Sequence, residues 1–225
     1  MNNDEDTKIK DFFEVLVENN MRMETVPLHE QISYVDPDDD YDFHAYRILL
    51  LLNICGIIKE PFFSYASIYG RRKFSFFDFL IRYPFYLMKV IEKSNKGYLA
   101  SLINLQESEK EHAFSPMIRY IRGPWDHRYD SIFNYMIGKK LIEVKYANYS
   151  KSQKAFIVSL TELGTEKANE IKDLENEWVS RMNVINLIFP QNSSNDSIEK
   201  YVQENFPSLI LGFYGGERGC LLNRF

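Results

Sequence analysis

Asp126 and His127 stand side by side in RYIRGPWDHRY (119–129), and a carboxylate beside an imidazole could act as a general acid–base pair. Arg119, Arg122 and Arg128 crowd the same stretch, and guanidinium groups hold phosphate through paired hydrogen bonds. Two facts weigh against catalysis here. Neighbouring residues on a helix point to different faces. The remaining histidines, His29, His44 and His112, sit in no His-Glu-x-x-His motif, and the chain has no phosphate-cradling glycine loop and no nucleophile motif. The sequence therefore gives Asp126 a structural role and His127 a surface one. Arg119 or Arg122 is expected to pair with Asp126 or Asp78 and so lock the Gly123-Pro124 corner to the helix that carries Asp78. A hydrolase or nuclease built on Asp126 and His127 is the least favoured reading.

The second candidate chemistry is electrostatic. Lys139, Lys140, Lys145, Lys151 and Lys154 face only Glu143 between residues 139 and 154, a local net charge of +4. Lysines on a helix end and a hairpin can displace counterions from a nucleic-acid backbone, giving binding that weakens with salt. They can equally keep a hairpin soluble and block edge pairing. Arg128 and Asn134 are the few groups nearby that could read a base, so any DNA contact is expected to be non-specific.

These residues need elements to place them. MIRYIR (117–122) alternates like a half-buried strand, and Pro124 suits the first turn of a following helix. Tyr129, Ile132, Phe133, Met136, Ile137 and Leu141 then recur at helical spacing, with Arg128, Ser131, Asn134, Tyr135 and Lys139 on the other face. LIEVKY (141–146) and AFIVSL (155–160), joined by a polar loop, form a hairpin. Thr161 can cap a final long helix whose apolar series is Ala168, Ile171, Leu174, Trp178, Met182 and Ile185, expected to pack on the body.

Upstream, Ile9, Phe12, Phe13, Val15, Leu16 and Val17 suggest a short amphipathic helix within 7–20. VDPDDDYDFH (35–44) lacks the glycine and terminal glutamate of a calcium loop, and reads as a turn with Asp40 or Asp42 as helix cap. Residues 43–59 form a strongly apolar helix ended by Pro61, and 62–70 a short helix or turn closed by Gly70. Phe76, Phe79, Leu80, Tyr83, Leu87 and Ile91 mark one helix bent near Arg82-Tyr83, or two short ones, because Pro84 interrupts the ladder. A further short helix is expected within 94–113.

The order strand, helix, hairpin, helix gives the fold class: α+β, mostly α-helical, with a winged-helix core, N-terminal helices and a long C-terminal helix. The organisation reads as an acidic arm with a short helix (1–42), a helical region (43–113), a winged-helix region with its C-terminal helix (114–190), and a linker with an apolar docking tail (191–225). Residues 1–45 hold thirteen Asp or Glu against three Lys or Arg, a net −10, which leaves +5 for the other 180 residues of a chain at −5. An acidic arm beside a basic body can shield that body or meet a basic partner. Cys55 and Cys220 are the two cysteines, which suggests neither a disulfide framework nor a zinc site and points to a reducing cytoplasm. The polar, acidic start is unlike a signal peptide, and apolar runs such as ILLLLNICGII are too short to span a bilayer.

Two stretches also carry a family resemblance. KFSFFDFLIRYPFYL (73–87) resembles a helix pattern ending in LDFLLRYP, and SPMIRYIRGPWDHRYDSIFNYMIGKKLIEV (115–144) resembles a block that begins MIRYRYGPWDxRY. SLTELGTEKA (159–168) fits the closing part. The pattern, covering about Tyr41 to Leu174, is similar to the middle component of ABC-three-component systems, which includes the Lamassu accessory subunit. The first stretch is more aromatic than the usual aliphatic version.

The resemblance implies a non-catalytic, cytoplasmic subunit without a cofactor of its own. It would bridge an SMC-like ATPase subunit and an effector nuclease in prokaryotic anti-phage or anti-plasmid defence, with ATP and metal held by the partners, and could touch double-stranded DNA without specificity. No membrane association is implied. The matching positions are Asp78, Arg82, Tyr83, Pro84, Arg119, Tyr120, Gly123, Pro124, Trp125, Asp126, Arg128 and Tyr129, as a partner-binding or structural motif. The alternative from another class is a stand-alone winged-helix transcription regulator.

Overall fold

The computed structural model describes residues 14–15, 18, 39–59, 63–110, 117–120, 123–150 and 153–210. The chain divides into two compact units, Met1–Val35 and Asp36–Phe225. In the first, residues 14, 15 and 18 are helical; the rest of the helix expected at 7–20 lies outside the described residues, as does the tail beyond 210. The second unit is α+β and mostly helical, and all that follows concerns it.

Asp40 starts α1 (Tyr41–Cys55): its Oδ1 accepts hydrogen bonds from the backbone N–H groups of Asp42 at 2.8 Å and Phe43 at 3.4 Å. Nearly every side chain from His44 to Cys55 is buried, as an all-round apolar helix requires. The helix stops at Cys55, and Ile57–Lys59 forms strand β1 rather than a helical extension.

Phe63–Tyr69 is strand β2, not the short helix or turn expected at 62–70. Ala66, Ser67 and Ile68 are buried in succession, so both faces of this strand are covered there. Gly70 (φ 100°) then turns the chain into α2 (Arg71–Arg82). Pro84 at the first helical position begins α3 (Pro84–Lys93), so the interrupted pattern resolves into two helices meeting at Tyr83. All six apolar positions of that series are buried. Two 3-10 turns, Gly97–Leu102 and Glu107–Lys110, replace the helix expected within 94–113.

Ile118–Tyr120 is strand β3, and Gly123–Trp125 is strand β4, paired antiparallel with it through Ile118 with Trp125 and Tyr120 with Gly123. Pro124 therefore lies in a strand, and helix α4 (Tyr129–Gly138) begins five residues after it. A two-stranded ribbon tolerates this proline because no third strand needs its missing donor. Tyr129, Ile132, Phe133 and Met136 are buried, whereas Ile137 is 42 % exposed and so departs from the apolar series.

β5 (Ile142–Ser150) and β6 (Gln153–Leu160) form the expected hairpin, longer than the apolar runs that mark it. The four-stranded antiparallel sheet has the order β1-β2-β6-β5. The hairpin's neighbour is thus β2, with Ser67 opposite Ser159 and Tyr69 opposite Ile157, and not the strand that precedes α4.

Thr161 caps α5 (Glu162–Lys172), its Oγ1 accepting from the Gly164 N–H at 3.0 Å. Gly164 has no alternative, because a Cβ there would fall 1.9 Å from the Leu141 carbonyl oxygen. The expected single long helix breaks at 173–175, leaving Leu174 exposed between α5 and α6 (Asn176–Ile188). Trp178 leans on Phe43 and Tyr46 of α1, at ring-centroid distances of 5.6 and 6.2 Å, so this face packs on the body.

The stretch 191–200, expected as linker, runs into helix α7 (Asn195–Asn205), capped by Ser194 and anchored by Ile198 and Val202. Asn195 Oδ1 accepts from the N–H groups of Arg72 and Lys73, at 3.1 and 3.2 Å, and supplies the cap that Gly70 cannot. Arg72 and Glu199 add an ion pair between α2 and α7.

Candidate functional site

The two stretches that carry the family resemblance meet inside the protein. α2 brings Asp78 and Arg82, one helical turn apart on the same face. The β4–α4 corner brings Trp125, Asp126, Arg128 and Tyr129. α1 adds Arg47 and His44, which sequence reasoning missed.

Asp78 is fully buried. Its Oδ1 accepts Arg47 Nε at 2.7 Å, and its Oδ2 accepts Arg47 Nη2 at 3.3 Å and Tyr129 Oη at 2.6 Å. Arg82 Nη2 lies 2.9 Å from the same Oδ2, and Arg82 Nη1 donates to Asp126 Oδ2 at 2.7 Å. Arg128 closes the cluster from its rim: its backbone N–H and Nε donate to Asp126 Oδ1 at 2.9 and 3.0 Å, and Nη2 to Oδ2 at 3.0 Å. Arg47 Nη1 donates to His44 Nδ1 at 3.1 Å, since a guanidinium can only donate. The pairing expected for Asp126 and Asp78 is therefore made by Arg47, Arg82 and Arg128. The backbone of Arg119 lies in β3 opposite Pro124, its side chain and Tyr120's lie outside the described atoms, and Arg122 lies outside the described residues.

Burial alone would raise the Asp78 carboxyl, but the charges of Arg47 and Arg82 outweigh it and hold Asp78 below the usual carboxylate range. Asp126 is also held below that range: burial opposes, and the hydrogen bonds from Arg128 with the charge of Arg82 prevail. Burial pushes the Tyr129 hydroxyl well up, so it stays protonated and donates to Asp78. Such a carboxylate is a poor general base, because every acceptor direction of Asp126 is taken and its proton affinity is depressed. His127 stands apart in solvent, with Nδ1 3.9 Å from Asp126 Oδ1. The cluster's chemistry is to fasten α1, α2 and the β4–α4 corner together.

The neighbouring motif residues do the same with apolar and aromatic surface. The Tyr83 N–H donates back to the Phe79 carbonyl at 2.9 Å, and its Oη accepts the Met117 N–H at 2.8 Å and so ties the α2–α3 break to the start of β3. Tyr83 stacks on Phe79 at 4.4 Å between centroids, Trp125 meets Tyr129 edge-on at 4.7 Å, and Arg71 lies over the Trp125 ring at 3.7 Å. Pro84, Gly123 and Pro124 are buried.

The lysine positions form a different kind of site. Lys139 and Lys140, at the end of α4, are exposed, as is Lys145 on β5, which pairs with Glu143. Lys154 lies on β6 with its side chain outside the described atoms, and Lys151 lies outside the described residues. Lys139 Nζ lies 3.2 Å from Asp42 Oδ1, and Tyr135 Oη donates to that same oxygen at 2.5 Å. The hydrogen bond from Tyr135, then that from Lys139, hold the Asp42 carboxyl below its ordinary value.

Among the described residues, no three His, Cys, Asp or Glu side chains are placed to share a metal ion, and no helix is long and apolar enough to cross a membrane. No family model, no curated protein and no solved structure matches the chain.

Proposed function

We propose that the chain is a non-catalytic accessory subunit of a prokaryotic, Lamassu-type anti-phage or anti-plasmid defence complex, bridging an SMC-like ATPase and an effector nuclease in the cytoplasm. One observation carries the reading: Asp78 and Arg82 from the first resembling stretch, and Asp126, Arg128 and Tyr129 from the second, close on one another in a single buried cluster. Residues that recur as separated motifs and share one cluster specify one architecture, which is what a docking subunit needs of its frame. A winged-helix core belongs to the same reading. The order α1, β2, α2, α4, β5, β6, with β2 antiparallel to β6, supports it, and β2 takes the strand position expected of 117–122. In such a core the exposed face of α4 and the β5–β6 hairpin touch duplex DNA through Lys139, Lys140, Lys145, Lys151 and Lys154.

Co-expression with an SMC-like ATPase and a nuclease encoded beside it tests the proposal. The expected result is a complex that survives size-exclusion chromatography; a chain that elutes alone in the presence of both partners overturns it. The stand-alone regulator differs in one measurable respect: it would hold one duplex sequence against an excess of random DNA.

A further inference from the structure

Asp42, in the first turn of α1, also reaches the end of α4. A hydroxyl and an ammonium, Tyr135 Oη and Lys139 Nζ, converge on its Oδ1, and the Tyr41 ring rests against Tyr135 at 5.6 Å. Two such donors on one anionic oxygen are also what a phosphate oxygen takes from a protein. The pair is open to water, with the Lys139 side chain 49 % and the Asp42 side chain 71 % exposed. An ion pair so exposed is weak and readily exchanged.

The next residue carries a second, independent sign. Lys140 has φ 59° and ends α4 in a Schellman turn: the Leu141 N–H donates to the Met136 carbonyl at 2.9 Å, and the Lys140 N–H to the Ile137 carbonyl at 2.9 Å. Glycine is favoured at this position, and a lysine there is strained. Gly138 lies two residues earlier, inside the helix, where that freedom goes unused. Strain of this kind persists where surroundings over-determine it, and it gathers at functional sites. The Lys140 carbonyl is fixed by Thr161 Oγ1 at 2.6 Å, so the surroundings do over-determine it.

We propose that Tyr135, Lys139 and Lys140 form a binding site for the phosphodiester backbone of duplex DNA, and that the Asp42 carboxylate fills it as an internal competitor in the free protein. The proposal rests on the DNA contact in the preceding reading. Duplex DNA is the favoured anion because α4 leads directly into β5, the sequence from 139 to 154 carries a net charge of +4, and a duplex presents a line of negative charge.

The test is fluorescence anisotropy of a labelled random-sequence duplex titrated with the full chain at several salt concentrations. Asp42→Asn should tighten binding roughly two- to fivefold, the range an exposed ion pair allows. Lys139→Ala should weaken it and lower the salt slope by about one. In the Lys139→Ala background, Asp42→Asn should change nothing beyond the small gain from removing one distant negative charge. Lys140→Gly should raise Tm by about 2 °C or more while weakening binding, because it relieves the strain and removes a cation.

If wild type binds but Asp42→Asn binds no tighter, or tightens equally without Lys139, the competitor role is overturned while DNA contact stands. If neither wild type nor Asp42→Asn binds the duplex at about 50 mM salt, the DNA reading and this proposal fall together.

Discussion

Opposite charges meet in two regions of this protein, and they meet on different terms. At the junction of α1, α2 and the β4–α4 corner, Arg47, Asp78, Arg82 and Asp126 are withdrawn from water and bound to one another. At the end of α4, Asp42 and Lys139 touch in the open. A buried ion pair need not stabilise a fold more than apolar residues of the same shape, yet losing one partner strands a charge in a medium that cannot solvate it. An exposed pair contributes little and leaves both partners solvated when it parts. The first arrangement suits a frame that must not change; the second suits a contact that must be exchanged for another.

The largest expected effect tests the frame. Asp78→Asn leaves Arg47 and Arg82 facing each other without their shared counter-charge, and should cost about 3–5 kcal/mol of stability in urea unfolding. Removing Arg47 as well, by Arg47→Met in that background, should recover part of the loss. A loss under about 1 kcal/mol for the single change would place Asp78 with the exposed pairs and dissolve the contrast. Asp126→Asn should cost less than Asp78→Asn, because Arg128, one of its two arginine partners, reaches the surface and can be rehydrated.

Gly164→Ala comes next. Its new methyl group collides with the Leu141 backbone and should cost about 1–3 kcal/mol, with Tm lowered accordingly. At the other extreme, Lys139→Ala and Asp42→Asn should each leave the urea midpoint close to that of the wild type.

Acid and alkali sharpen the comparison. Asp78 and Asp126 titrate lower in the folded chain than in the unfolded one, so their contribution is present above about pH 4 and is lost as pH falls further. Lys73 works in the opposite sense. It is buried, donates to the backbone carbonyls of Gln191 and Ser193, and burial pushes it down to about 8. Between there and its ordinary value near 10.5 the unfolded chain binds more protons, so this residue adds stability as pH rises through that window. The measurement is the difference between wild type and Lys73→Met in urea melts from about pH 8 to pH 10, because burial raises the Cys55 thiol and the Tyr129 hydroxyl and these oppose the trend in both proteins. A difference that stays flat across the window would show Lys73 to be solvated.

Much of this frame was legible in the residues. Tyr129, Ile132, Phe133 and Met136 at helical spacing, the β5–β6 runs and the Thr161 cap all reflect local rules, and local rules leave periodic marks. Other features depended on distant parts of the chain. β2 reads poorly because FSYASIY is short and its identity as a strand comes from pairing with β6, some ninety residues on. α7 was hidden by the Ser/Asn run before it, although Ile198 and Val202, four apart after Ser194, were an available sign. The Asp126 bonds to Arg82 and Arg128 were not foreseen: Arg82 is 44 residues away in sequence, and the expected partners were Arg119 and Arg122, whose side chains lie outside the described atoms. Arg47 could have been found, since a lone arginine in the apolar run YRILLLLNIC must meet a carboxylate.

The cap on α2 has a further consequence for biogenesis. Asn195 stands more than 120 residues downstream of Arg72 and Lys73, whose N–H groups it satisfies, and the carbonyls that hold Lys73 also belong to this late segment. A nascent chain that has emerged only as far as the β-hairpin still lacks the stopper for its central helix. Completion of this part of the core therefore waits for α7, and a chain truncated before residue 190 is expected to lack both the cap on α2 and the carbonyl partners of Lys73.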